Sequence, residues 1–274
     1  MKRVLGIFRA TCYSPGMAEH DEAILRAVAT RLESMGHAVR LVHEEDLETD
    51  TPMPDIVLHM ARSPRALAIL QGWEEAGCRI INPTESVRGV ERASLARLCA
   101  AHHIPTPRTW IVSTSEPRPE TMASPCWVKR TGMCAQEPDD VCRVDDAESY
   151  TQCLAQFHAR GIDKVVVMEH KEGPCIKFYA VRGTGFFHCL PGYDKWSGVV
   201  LPTSNTEKNT EDAEVIKRSI IRQIEKTDHL PIIYGGDAII NDGTAYLIDL
   251  NDWPSFSACR EEAAEAISHL VMGG

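Results

Sequence analysis

The first hundred residues alternate short apolar runs with segments of helical periodicity, and this alternation limits the fold more than any other feature. In chain order, the apolar runs and the helical segments between them are residues 3–8, 18–35, 38–42, 55–59, 64–76 and 79–82. Parallel strands need a crossover connection, usually a helix, so strands that alternate with helices indicate a parallel sheet. We therefore predict an open parallel α/β domain over residues 1–103.

Composition excludes several classes of protein. The chain has 274 residues, of which 43% are hydrophobic, and its formal net charge is −10. It lacks the ~20 continuous apolar residues of a membrane helix and begins without a signal-peptide pattern, so we expect a cytoplasmic protein with no membrane partner. The acidic balance argues against nucleic acid as a partner, because a phosphate backbone is bound through clustered lysines and arginines.

The ten cysteines are scattered along the chain and form no CxxC pair. A disulfide framework is typical of small secreted domains, so reduced, mostly buried thiols are the expectation here. Cys12 and Cys134 fall in predicted loops, where a reactive thiol is a weaker alternative to a structural one.

Two prolines, Pro105 and Pro107, follow the helical pattern of residues 86–102 and impose an extended path that marks a domain junction. Strands near residues 109–112, 126–130 and 165–168, with one helix and a polar loop between them, predict a small α+β lobe over residues 104–173. Further strands and a helix predict a C-terminal lobe over residues 174–274.

The last two predicted strands carry a pair of carboxylates. Asp237 and Asp249 lie on either side of an Asp242-Gly243 turn, so their side chains could face one site, and Asn251 shares a face with Asp249. Two carboxylates and an amide oxygen form a ligand set that suits Mg²⁺. The same residues fit equally well a strand that simply ends before a turn.

Two cations and a polar strand end complete a possible nucleotide site. Lys129 ends an apolar strand and Arg92 opens a helix, and both could be ordinary surface cations or could hold phosphates. The buried pattern of residues 165–168 turns polar at residues 169–173, as expected either for a linker between lobes or for an adenine pocket in which Glu172 binds ribose hydroxyls.

Several short motifs occur in an order that resembles one superfamily. In chain order they are Ile81-Asn82-Pro83, Glu91-Arg92-Ala93-Ser94-Leu95, Ile104-Pro105-Thr106-Pro107, Trp127-Val128-Lys129, Val167-Met168-Glu169-His170, Ile176-Lys177-Phe178, Gly236-Asp237-Ala238 and Ile248-Asp249-Leu250-Asn251-Asp252-Trp253-Pro254. Each motif is weak by itself, but over nearly the whole chain the order resembles ATP-grasp enzymes. This resemblance implies that ATP binds between the central and C-terminal lobes.

The resemblance also implies roles for individual residues. Lys129 and Arg92 look like phosphate-binding cations, and Arg92 stands where many members carry lysine. Glu169 and Glu172 look like hinge residues that bind adenine and ribose, with the main chain near His170 and Lys171 completing the base contacts. Lys177 corresponds to a cation near the γ-phosphate or the acceptor. The metal ligands correspond to Asp237, Asp249 and Asn251, with Asp249 in place of the more usual glutamate.

The expected activity is an ATP- and Mg²⁺-dependent ligase that activates a small-molecule or peptide carboxylate as an acylphosphate for attack by an amine. A small-molecule kinase of the inositol phosphate type and a non-catalytic nucleotide-binding module are the alternatives, and a homodimer is possible. Two loops could contact the second substrate or could be ordinary connections: the loop with Arg9 and Tyr13 after the first strand, and residues 192–198.

Overall fold

The computed structural model describes residues 1–116, 122, 124–132, 137–190 and 206–273, with side chains from residue 209 onward in the last range. Cys134 and the loop of residues 192–198 lie outside the described residues. Within the described part of the chain, no helix is both long enough and apolar enough to cross a membrane.

The N-terminal sheet is parallel and has the strand order β2-β1-β3-β4. Its strands are β1 (Arg3–Phe8), β2 (Ala38–His43), β3 (Ile56–His59) and β4 (Arg79–Ile81). The connections contain α1 (Ala18–Ser34) and α2 (Pro64–Glu75). All four residues of β3 are buried, as expected for a strand covered by helices on both faces. The predicted parallel α/β arrangement is confirmed.

Two helices, α3 (Thr84–Gly89) and α4 (Arg92–Ala101), follow β4 where one continuous helical segment was predicted. The first helix ends at Gly89, whose position allows no side chain, because an added Cβ would lie 2.3 Å from the carbonyl oxygen of His229. The break allows α4 to begin at Arg92.

The central sheet is antiparallel and has the order β5-β8-β6-β7. Its strands are β5 (Thr109–Ser113), β6 (Cys126–Arg130), β7 (Val141–Val144) and β8 (Lys164–Glu169). One helix, α5 (Ala147–Ala159), begins with a capping box between Asp146 and Ser149. Strand β7 was not predicted, because its four residues follow a polar segment and only one of them is buried.

The C-terminal sheet is also antiparallel, with the order β10-β9-β11-β12. Its strands are β9 (Cys175–Val181), β10 (Phe186–Leu190), β11 (Ile233–Asn241) and β12 (Thr244–Asp252). Before β11, helix α6 (Thr206–Ile216) continues through a π-helical segment (Lys217–Ile221) into the short α7 (Arg222–Ile224). The π-helical segment and α7 pack against the sheet through Ile220 and Ile224.

The last helix, α8 (Arg260–Met272), packs against the N-terminal domain. Ile267 and Val271 belong to the same buried cluster as Ile24 and Val28 of α1 and Val4 of β1. Each of the three sheets lies within one of the predicted ranges 1–103, 104–173 and 174–274, but the N-terminal core is completed by a helix from the last range.

Candidate functional site

The predicted acidic residues lie directly opposite each other. In the antiparallel pair β11 and β12, Asp237 is aligned with Asp249, and Asn251 is aligned with Gly235. On the other side of β11, Asp237 is aligned with Lys177 of β9, and the Lys177 ammonium lies 3.1 Å from the Asp237 carboxylate. Asp237 is almost completely buried. Three neighbouring strands thus bring two carboxylates, an amide and a cation to one place.

A β-bulge sets the position of Asp249. The turn at Asp242-Gly243 has two residues with positive φ, 47° and 70°, as in a type I′ hairpin. The register shifts by one residue between Asp237 and Ala238, which leaves Ile248 as the extra residue in β12. Bulges next to active sites commonly redirect a side chain, and this one places Asp249 opposite Asp237.

The cations Lys129 and Arg92 line the same cleft as Asp249, between the central and C-terminal sheets. The Lys129 ammonium donates a hydrogen bond of 2.9 Å to the carbonyl oxygen of Ile248, the bulged residue. Arg92 begins α4 and donates a hydrogen bond of 3.2 Å to the carbonyl oxygen of Arg130 at the end of β6. Both cations are at least nine-tenths buried, so their charges lie in a medium where they act strongly on an anion.

The carboxylate of Glu169, at the end of β8, is held by Arg108. It accepts hydrogen bonds from the main-chain N–H and the guanidinium of Arg108 at 3.2–3.4 Å. These contacts, first of all the side-chain hydrogen bond, lower the pKa of Glu169 below its ordinary value. The sequence contains no signal for this partnership beyond the extended path that Pro107 imposes just before Arg108.

The segment after β8 crosses from the central sheet to the C-terminal sheet. His170 accepts a hydrogen bond from the indole N–H of Trp127 at 3.1 Å, and its other ring nitrogen lies 3.1 Å from the carboxylate of the exposed Glu172. The ammonium of Lys171 lies over the ring of Tyr246, 5.0 Å from its centre. The nucleotide-binding roles of Glu169, His170, Lys171 and Glu172 stay predictions.

Arg9 lies where the N-terminal domain contacts the end of β12. Its guanidinium forms an ion pair with Asp21 at 3.0 Å and donates to the carbonyl oxygens of Asp252 and Trp253 at 3.3 Å. It is not one of the residues that line the cleft with Lys129. A contact between Arg9 and the second substrate stays a prediction.

The donor set at the hairpin fits magnesium. Within the described residues no group of three or more histidine, cysteine, aspartate or glutamate side chains could hold a metal. Asp237 and Asp249 provide two carboxylates and Asn251 an amide oxygen, all hard ligands, and Mg²⁺ is commonly held by one or two carboxylates while it keeps several waters.

The protein is similar to known proteins in structure. No family model matches the chain, and no curated protein matches it either. A D-alanine–D-alanine ligase from Bacillus anthracis, solved as a complex with ATP, superposes with a TM-score of 0.72 at 13% identity over 100% of this chain and 99% of its own. The chain has an ATP-grasp fold.

Two further structures support the ATP-grasp assignment. A RimK domain ATP-grasp protein from Sphaerobacter thermophilus has a TM-score of 0.66 at 15% identity, covering 98% of this chain and 100% of its own. A D-alanyl-alanine synthetase A from Vibrio cholerae has a TM-score of 0.69 at 13% identity, covering 99% and 97%. The resemblance carried by the ordered motifs is confirmed at the level of the fold.

Proposed function

We propose that the protein is an ATP- and Mg²⁺-dependent ligase that joins a carboxylate to an amine. The observation that carries the proposal is the alignment of Asp237 with Asp249, which lines the same cleft as Lys129 and Arg92. Two of the similar structures, one named as a D-alanine–D-alanine ligase complexed with ATP and the other as a D-alanyl-alanine synthetase A, support the same class of reaction.

In the proposed reaction, a carboxylate oxygen of the first substrate attacks the γ-phosphorus of ATP. The bond from that phosphorus to the β–γ bridging oxygen breaks, ADP leaves, and an acylphosphate remains. The amine nitrogen of the second substrate then attacks the acyl carbon, phosphate leaves, and the amine proton passes to solvent. The protein contributes mainly by positioning the reactants and by offsetting charge.

The cations of the cleft would hold the phosphates. Lys129 and Arg92 would contact phosphate oxygens from the central side, and Lys177 would approach the γ-phosphate from β9. Arg92 Nε has no hydrogen-bond partner within the described residues, which suits a site that awaits an anionic acceptor. Asp237, Asp249 and Asn251 would hold magnesium, which would offset charge on the transferred phosphoryl group.

Release of ADP tests the proposal, measured with a panel of acids offered with and without amines. A ligase releases ADP in amounts that depend on both an acid and an amine. A phosphorylated product without any amine would instead identify a kinase, and ATP binding without turnover would identify a non-catalytic module.

Replacement of Asp249 by asparagine tests the metal site. The change Asp249→Asn removes one carboxylate and should lower the ADP-release rate at least about 100-fold, because the loss of a metal ligand exceeds the effect of losing an outer partner. Asp242→Asn in the turn of the same hairpin is the matched control and should leave the rate unchanged. Equal rates for the two variants would contradict the metal assignment.

A further inference from the structure

A buried ion pair joins the N-terminal domain to the residue that follows Asn251. The guanidinium of Arg62, in the loop after β3, pairs with the carboxylate of Asp252, and their side chains are 5% and 0% exposed. Successive side chains of a strand point to opposite faces. When Asp252 is drawn toward the N-terminal domain, its neighbour Asn251 is therefore directed to the opposite face, which Asp249 shares.

Arg62 is itself held from behind. The buried carboxylate of Glu44 accepts hydrogen bonds from the main-chain N–H groups of Arg62 at 3.0 Å, Ser63 at 2.8 Å and Ala10 at 2.6 Å. Glu44 follows β2, so one carboxylate connects the loops that follow three parallel strands. The main chain around Arg62 is thus held in place by the hydrogen bonds that the Glu44 carboxylate accepts.

The chain turns sharply directly after Asp252. Trp253 has a φ of 41°, in the left-handed region that a tryptophan rarely adopts, and such a conformation persists only where its surroundings enforce it. The fully buried indole donates to the carbonyl oxygen of Ile81 at 3.4 Å, and Arg9 donates to the carbonyls of Asp252 and Trp253. The N-terminal domain therefore holds this turn by its side chains and by its main chain.

Stability alone is a weak reason for the buried pair. Removing two charges from water costs several kcal/mol per ion, and apolar side chains of similar volume are often as stable or more stable. Loss of a group that orients a metal ligand, in contrast, commonly weakens metal affinity about 10- to 100-fold.

We infer that Arg62 is a positioning residue: through Asp252 it orients Asn251 and the end of β12 for metal binding. The inference rests on the proposed function, since it concerns the proposed metal site. It means that a loop of the N-terminal parallel sheet sets the geometry of the metal ligands.

Binding of Mn²⁺, used as a paramagnetic probe of the magnesium site, tests this inference in the full chain. Electron paramagnetic resonance would measure Mn²⁺ affinity in the presence of a non-hydrolysable ATP analogue. The double variant Arg62→Met/Asp252→Leu removes both charges and keeps similar volume. We expect a melting temperature close to that of the parent, a Mn²⁺ affinity about tenfold weaker, and unchanged binding of the analogue in EDTA.

Arg79→Met is the matched control. Arg79 also extends from the N-terminal sheet to the C-terminal part of the chain, where it donates to the carbonyls of Leu270 and Val271 at 2.8 Å. Its loss should leave Mn²⁺ affinity unchanged. If the double variant does not fold, Arg62→Lys keeps the charge and loses the planar fork, and a weaker Mn²⁺ affinity is again expected.

Two results would overturn the inference in different ways. A folded double variant, or a folded Arg62→Lys variant, with the Mn²⁺ affinity of the parent would show that Asp252 does not orient the metal ligands. A parent protein that binds the analogue but no Mn²⁺ would remove the proposed metal site itself, and the inference with it.

Discussion

At the scale of single residues, the carboxylate of Glu169, which the ordered motifs assign to nucleotide binding, is already hydrogen-bonded by another side chain of the protein. Its carboxylate accepts hydrogen bonds from Arg108, which lower its pKa. Any hydroxyl that Glu169 binds in a nucleotide must therefore share the carboxylate with Arg108 or displace it. The strength of this contact sets part of the cost of binding.

The variant Arg108→Gln should lose a small, pH-dependent part of the stability. A carboxyl whose pKa is lowered in the folded state stabilises the fold above its unfolded pKa, and this contribution is lost as the pH falls through the folded pKa. The parent should be more stable than the variant by at most about 1 kcal/mol at pH 7, because Arg108 is 63% exposed and solvent screens the pair. Urea denaturation should show this difference at pH 7 and little difference below the pKa of Glu169; an equal difference at both pH values would exclude the ion pair as its source.

The acidic residues of the site could be predicted, but the partners that orient them could not. Counting from the Asp242-Gly243 turn brings Asp237 and Asp249 to within one position of alignment, and β-strand alternation puts Asn251 on the same face as Asp249. Arg62 lies 190 positions before Asp252 in the chain, and local periodicity contains no information about such a pairing. Long-range partners of this kind depend on how the domains pack.

At the scale of elements, the hairpin of β11 and β12 depends on one inserted residue. Asn241 pairs with Thr244, and a regular hairpin continued from that pair would align Asp237 with Ile248. The bulge moves Asp249 into that position instead. The turn could be predicted from its residue types. The bulge could not, because no residue type in β12 indicates it.

Gly236, next to Asp237, should not tolerate a side chain. An added Cβ would lie 2.6 Å from both the Asp249 carbonyl oxygen and the ring of the buried Phe178, so Gly236→Ala should destabilise the protein by about 1–3 kcal/mol. Gly72→Ala, at an exposed position in α2 with no atom within 4 Å of the new Cβ, should instead stabilise it by about 0.4–1 kcal/mol. Denaturant unfolding of both variants measures the two changes in the free energy of unfolding, which should have opposite signs. Stabilisation by Gly236→Ala would show that β11 and β12 are not as close as described.

At the scale of the whole molecule, the N-terminal domain and the end of the chain share one core. The order of strands and helices in the first hundred residues could be predicted from apolar periodicity, because each strand is short and each helix is amphipathic. The docking of α8 on α1 could not, since an amphipathic helix fits any apolar face of suitable shape. Asn82 also links the N-terminal domain to the start of β11. Its side chain accepts hydrogen bonds from the N–H groups of Ile232 and Ile233 and donates one to the Ile233 carbonyl.

A cavity in α8 should therefore loosen the N-terminal sheet. Ile267→Ala should cost about 2–5 kcal/mol, because Ile267 is fully buried in the shared core. Amide hydrogen exchange should accelerate in β1 and α1 as well as in α8. Leu154→Ala, in the separate core of the central sheet, is the control and should accelerate exchange chiefly in that sheet. Faster exchange confined to α8 in the Ile267 variant would contradict a shared core.

The position of α8 also has a consequence for biosynthesis. The ribosome makes the four strands of the N-terminal sheet, which end at Ile81, long before Arg260 opens the helix that packs on α1 and completes their buried core. At about 5–20 residues per second, that core stays incomplete for on the order of ten seconds or more. Ribosome-bound chains arrested before residue 260 should therefore be cut by protease in the N-terminal domain, where chains that include α8 resist.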